Sequence, residues 1–281
     1  MARILVMTDS TCDLPLSWVR RHDIRVVPTF INFGTESLAD DGVQLTRTDF
    51  YTRIVDAPIH PTTAAPSPGI ALEVMHQALA EADHVIAITA PHKLSGIFNT
   101  FRMAAEQTAP DRVTLIDSHM LSMGLGWQVW TAAEMAAAGA SPDRIKQVVT
   151  NMQPRILVWA ALDTMEYLRR SGRVGWASAI VGDFLKIKPV VQMYRGDVTS
   201  AARVRTSTRS FDKLVELAHQ AAPLERLAVM HSNYPDGAQR LSAALADIHP
   251  HAEIPFSDVT PVIGVHVGPH GLGLAIVKKS G

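Results

Sequence analysis

Short runs of β-branched and aliphatic residues recur along the chain with helix-period stretches between them, which predicts alternating strands and helices and a largely parallel sheet. Three strands stand out in the first half: residues 3–7, 84–89 and 112–116. Each closes on polar residues, Thr8-Asp9-Ser10, Ala90-Pro91-His92 and Asp117-Ser118 respectively. In a parallel sheet such strand ends share one edge, where open α/β folds place their ligands. Gly96 opens a helical pattern through Ala105, and residues 124–138 read as a long helix.

The pattern breaks at residues 151–154, which predicts an N-terminal α/β domain at 1–155 and a C-terminal α/β domain at 156–281. An apolar run at 156–162 follows, then an amphipathic stretch at 165–170 and a Gly172-Arg173 break. Residues 187–193 and 198–204, joined by Arg195-Gly196-Asp197, read as a hairpin. Further strands are expected at 227–230, 253–256, 262–267 and 272–277. The last two, joined through Gly268-Pro269-His270-Gly271, predict a second sheet that is mixed or antiparallel.

Composition fits this reading. At 281 residues, with 47% apolar and 19% charged, the chain can build two ordinary cores, and fibrous or disordered classes are excluded. Its 26 basic residues offset 27 acidic ones, so no bulk field favours nucleic acid or an anionic membrane. The single cysteine, Cys12, excludes a disulfide framework and fits a reducing compartment. The apolar run at 156–162 falls far short of the ~18 residues of a spanning helix, and the start of the chain lacks a signal-peptide core. A cytoplasmic protein without a stable membrane anchor is expected.

Several familiar signatures are missing. There is no G-x-x-x-x-G-K-[ST] cradle, and Gly124-Leu125-Gly126 does not complete a dinucleotide fingerprint. No H-E-x-x-H occurs, His249-Pro250-His251 reads as a solvated turn, and no G-x-S-x-G elbow is present, so neither metal nor cofactor is expected. Three clusters of small polar residues remain. Ser95 and the Gly96 amide sit at a strand-to-helix turn and can meet an anion, although Ser95 also reads as a plain helix cap. Residues 62–69 carry prolines and read as an irregular loop ending in a helix start, which can position hydroxyls but in isolation reads as a plain Pro-rich connector. His266 falls on an apolar strand before a Gly-rich turn, either as a core histidine or as a partner for an anion between the domains. All three offer donors without a matched nucleophile, base and orienter, which points to binding an anion more than to cutting a bond.

The chain resembles the DegV family of fatty-acid-binding proteins, which includes the binding subunits of bacterial fatty acid kinase. The resemblance rests on Thr8 through Leu14, Asp41-Gly42, Thr63 through Gly69, Lys93-Leu94-Ser95-Gly96, Asp117-Ser118 with Gly124-Leu125-Gly126, Leu162 through Arg173, Ile187-Lys188-Pro189, and Gly264 through Gly268. It implies a two-domain protein that encloses a long-chain fatty acid in a tunnel between its domains. By motif position it implies that Ser95, Thr63 and His266 hold the carboxyl group, with the Gly96 amide nearby. It also implies a separate ATP-dependent kinase subunit as partner, with Arg173 at the rim and an exposed acidic loop at Asp40 and Asp41 as docking candidates. Ala64-Ala65, Pro91-His92 and His270 depart from the usual family residues and bear on acyl preference. The competing expectation is a serine hydrolase or acyltransferase with Ser95 as nucleophile, His266 as base and Asp9 or Asp117 as its acid partner.

Overall fold

A computed structural model describes residues 2–173, 175, 187–249 and 254–280. Numbered along the chain, the described strands are β1 (Ile4–Asp9), β2 (Arg25–Val27), β3 (Phe30–Phe33), β4 (Glu36–Ala39), β5 (Thr62–Ala64), β6 (His84–Thr89) and β7 (Val113–Asp117). They continue as β8 (Ile156–Ala161), β9 (Lys188–Tyr194), β10 (Asp197–Val204), β11 (Leu224–His231), β12 (Phe256–Asp258) and β13 (Leu272–Lys278). The helices are α1 (Leu16–Arg21), α2 (Arg47–Asp56), α3 (Pro68–Glu81), α4 (Ile97–Gln107), α5 (Met123–Ala137), α6 (Pro142–Met152), α7 (Glu166–Arg170), α8 (Ser207–Ala221), α9 (Pro235–Ala244) and α10 (Pro261–Val267).

The fold is α/β. The first sheet runs β2-β1-β6-β7 and is wholly parallel. The second runs β10-β9-β8-β13-β11-β12, antiparallel except for the β11–β12 pair, and is therefore mixed as expected. Its β9–β10 hairpin turns at Arg195-Gly196, as the Gly signal indicates. A third, small antiparallel sheet, β4-β3-β5, went unread in the sequence.

Between the two large sheets lies α5, whose residues Met123–Trp130 are all buried. Its apolar face is continuous because both sides meet a core: Val6 and Ile88 of the first sheet, and Val158, Met230 and Ala275 of the second, join one cluster with Leu125 and Trp127. The Trp127 indole N–H finds the Ala275 carbonyl at 3.1 Å, so the helix is pinned to β13 as well as packed on it. Gly126 brings α5 against the Ser10–Cys12 turn: a Cβ there would stand 2.7 Å from the Cys12 carbonyl oxygen and 3.0 Å from Met123 Sδ. Backbone cannot swing aside as a side-chain tip can. Gly126→Ala is expected to lower stability by about 1–3 kcal/mol in urea unfolding, with an unchanged m-value. A wild-type midpoint would mean that α5 does not hold this close approach.

Three expectations need correction. Residues 262–267 form α10, not a strand. A short apolar run without polar interruption fits either element, and here Pro261 at the first helical position after Thr260 decides for helix. Residues 62–69 are not wholly irregular: Thr62–Ala64 pairs with β3 as an edge strand, and Pro66 and Pro68 fall after the pairing ends. The strand expected at 253–256 is found at Phe256–Asp258, with Glu253 outside the described residues.

Candidate functional site

An apolar cavity of about 120 Å³ lies against the second sheet. Val158 and Ala160 of β8, Met193 of β9, Met230 of β11 and Ile263 of α10 supply much of its wall. Leu121 and Ser122, just before α5, close it from the first-sheet side. The polar side chains on the wall are Ser122, His231, Ser232 and His266.

His266 occupies the last turn of α10 and is 8% exposed. Burial, and then the positive field of Arg173 and of His60, pushes its pKa down to about 3, so the imidazole is neutral at ordinary pH. Its Nε2 lies 3.4 Å from Thr63 Oγ1, which β5 presents on the small third sheet. The segment that follows Thr63 also reaches the start of α4. Ala65 sits 4.0 Å from the position a Cβ on Gly96 would take, and Thr100 Oγ1 donates to the Pro66 carbonyl at 3.3 Å. One short stretch therefore meets His266 through Thr63 and Gly96 through Ala65.

Ser95, one residue before Gly96 at the N-cap of α4, is half-buried, and its Oγ accepts from the Ile97 amide at 3.3 Å. Gly96 is exposed and takes helical dihedrals at the entry of α4. Direct contact is thus seen between Thr63 and His266, Gly96 meets the same loop through Ala65, and the Ser95 side chain is seen only with Ile97; of these residues His266 alone is on the described cavity wall. Arg173 follows a left-handed Gly172 (φ +72°) that terminates α7, and its field is felt at His266. Asp41 is exposed, as expected of a docking loop. Asp40 is not: it is 5% exposed and accepts the Val262 amide at 3.3 Å, because its carboxylate turns inward to α10.

The acids named for a catalytic triad are committed elsewhere. Asp9 accepts from the Thr11 amide, the Thr11 hydroxyl and the Ala90 amide, and Asp117 accepts from His92 and from the His119 amide. A histidine with its pKa near 3 is also a poor general base.

Sequence reasoning missed His60, whose Nε2 lies 3.0 Å from the Val265 carbonyl and whose ring packs 5.8 Å from Tyr167. It also missed Arg47 and the His231–Asp258 pair, in which burial lowers the histidine and raises the carboxyl. These residues lie far apart in the chain and share no local motif. Among the described residues no group of His, Cys, Asp and Glu has metal-binding geometry, and no helix is long and apolar enough to cross a membrane.

Residues 3–279 match the family model described as an uncharacterised protein of the DegV family. A DegV domain-containing protein of Deinococcus radiodurans is 33% identical over 283 residues, covering 99% of both chains. The structure of a fatty-acid-binding DegV family protein from Thermus thermophilus superposes with a TM-score of 0.90 at 31% identity, over 99% of this chain and 100% of that one. The fatty-acid-binding DegV of Bacillus subtilis superposes with a TM-score of 0.88 at 27% identity, over 99% and 100%. DegV homologues thus bind fatty acids, and with a match running from end to end, this chain belongs to the DegV family.

Proposed function

We propose that this protein binds a long-chain fatty acid, with its tail in the apolar cavity and its carboxylate among Thr63, Ser95, the Gly96 amide and His266. The observation that carries the reading is an apolar cavity whose wall includes a buried, neutral histidine in contact with a threonine hydroxyl. Burying each methylene is worth about 0.8 kcal/mol, so a sixteen-carbon tail gains roughly 11 kcal/mol before ordering costs. A carboxylate taken out of water without partners gives back several of those kcal/mol, which is what the donors prevent. Because His266 is neutral, it acts as a hydrogen-bond donor, and the positive charge that balances the ligand comes from Arg173.

In this reading the protein is a carrier and makes no bond itself. The bound carboxylate is presented to a separate ATP-dependent fatty acid kinase, where a carboxylate oxygen attacks the γ-phosphorus of ATP and ADP leaves. An acyl phosphate results. Arg173 and Asp41 are the docking candidates at the rim. Organic extraction of the purified protein followed by mass analysis is expected to yield about one long-chain fatty acid per chain. A protein that carries none, and takes none up from added palmitate or oleate, would overturn the reading. Acyl phosphate formation with a bacterial fatty acid kinase and ATP tests the second half.

A further inference from the structure

Helix α10 carries His266 at one end, and its other end lacks a cap of its own: the Thr260 side chain makes no capping hydrogen bond, and Pro261 has no amide to offer. The first two available amides are taken by carboxylates from the other half of the chain. Asp13 Oδ1 accepts the Thr260 amide at 2.9 Å, and Asp40 Oδ2 accepts the Val262 amide at 3.3 Å. Both acids are at least nineteen-twentieths buried, with 1% and 5% exposure. Asp13 also accepts from Ser122, a cavity-wall residue held at φ +53°, and its own carbonyl accepts from Ser257 of β12.

The helix has little room to respond except by moving as a body. Gly264 packs so closely on α2 that a Cβ would stand 2.5 Å from Phe50 Cε1. Tyr51 Oη donates to the Val259 carbonyl at 3.1 Å, and His60 holds the Val265 carbonyl near the far end. A seven-residue helix is only about 10 Å long, so what its first turn does is felt in its last.

We propose that Asp13 and Asp40 are positioning residues for His266: their ionised carboxylates anchor the start of α10 and thereby set the register in which its last turn meets the fatty-acid carboxylate. This rests on the fatty-acid reading above for its ligand and on the hydrogen bonds alone for its geometry. Anions at a helix N-terminus are favoured by the unpaired amides and by the helix dipole, and charge-assisted bonds are about twice as strong as neutral ones.

The anchor has a cost that makes it pH-sensitive. Burial raises Asp13 to about 6 and Asp40 to about 7, against the opposing pull of their hydrogen bonds and of Arg47 on α2. The other groups facing the pair are Ser10, which bonds Asp40, Asp9 and Cys12 on the preceding turn, Tyr51 on α2, Asp258 beside His231, and exposed Asp41 on the rim of the same cleft. Each carboxyl repels the other's charge. Folded Asp13 and Asp40 therefore hold protons that the unfolded chain would release between pH 4 and pH 7, so ionising them costs stability as pH rises through that window. A pair kept only for stability would serve better as amides. A pair kept to place α10 would not.

The test compares wild type with Asp13→Asn, Asp40→Asn and the double variant, by fatty-acid affinity at pH 8 and pH 5.5 and by hydrogen exchange over residues 261–268 in ligand-free protein. The double variant is expected to bind oleate about tenfold more weakly at pH 8, a loss of ~1.4 kcal/mol, with faster exchange in α10 and no loss of melting temperature. Its affinity should be nearly flat between the two pH values where wild type weakens several-fold on acidification. Should the variants fail to fold, wild-type α10 exchange at the two pH values, referenced to α5, gives the same answer. Unchanged exchange over 261–268, or wild-type affinity in the double variant, overturns the proposal. Faster α10 exchange in a protein that binds no fatty acid at any pH would support the anchoring and sink the ligand reading instead.

Discussion

Ala160→Trp is expected to weaken fatty-acid binding on the order of 100-fold while leaving the fold intact. Ala160 is the penultimate residue of β8, opposite Gly273 of β13 and Val191 of β9, and all three line the cavity. An indole projecting from this point occupies space that a tail would otherwise fill. Excluding about four methylenes at ~0.8 kcal/mol each removes roughly 3 kcal/mol, which is the stated loss. The fold should tolerate the change because added apolar bulk enters open space rather than a filled core. Ala161 supplies the control. One residue on, its side chain points to the other face of the sheet, into the cluster of Leu214, Leu227 and Leu274 at the edge of a second, more polar cleft. Ala161→Trp is therefore expected to leave fatty-acid affinity nearly unchanged and to lower stability by about 1–3 kcal/mol, because Ala161 is buried against that cluster. Displacement titrations with a fluorescent fatty acid, read beside melting curves, separate the two. Full affinity in a well-folded Ala160→Trp protein would place the ligand outside this cavity.

The contrast between those neighbouring alanines also marks what the sequence could reveal. Strands buried on both faces read as plain apolar runs, and β6 was legible to the residue because Pro91 and polar His92 punctuate it. The same continuity hid α10. Apart from His266, Val262 through Val267 carries only apolar residues, because it is enclosed by Phe50, Tyr51 and the cavity, so no helical stripe is written into it. The β3–β4 hairpin escaped because Asn32 and the exposed Gly34-Thr35-Glu36 turn dilute its pattern. Among the residues proposed to hold the carboxylate, Ser95 was visible as a donor at a strand-to-helix turn, whereas Thr63 was singled out by the family resemblance. Asp40 was expected to be exposed on the resemblance alone, and nothing local in the sequence says that its carboxylate folds inward to meet an amide more than two hundred residues away. Long-range capping is a property of tertiary structure, and the sequence holds no periodicity that encodes it.

His266→Ala should lower fatty-acid affinity about 10- to 100-fold at pH 8, because a hydrogen bond to a charged group is worth about 1.5–3 kcal/mol and truncation leaves the carboxylate short of a donor. His266→Gln, which retains a donor, should recover part of that loss. The two states of the chain treat this histidine's proton differently, and that gives an independent readout. In the unfolded chain the imidazole takes a proton below pH 6.5, while in the folded chain burial beside Arg173 and His60 delays protonation to about 3. The stability this group contributes is thus fully present above pH 6.5 and is lost progressively as pH falls toward 3. At pH 5 the lag amounts to about 2 kcal/mol, so His266→Gln should be more stable than wild type there by that order and lose the advantage at pH 8. Asp13 and Asp40 titrate in the opposite sense across part of the same window, but they do so in both proteins and cancel in the difference. A bound carboxylate changes the outcome in one direction only. Its charge beside His266 favours the imidazolium, so fatty acid should protect wild type against acid far more than it protects the glutamine variant. Equal protection of the two proteins would separate the head group from His266 and leave Thr63 and Ser95 to hold it.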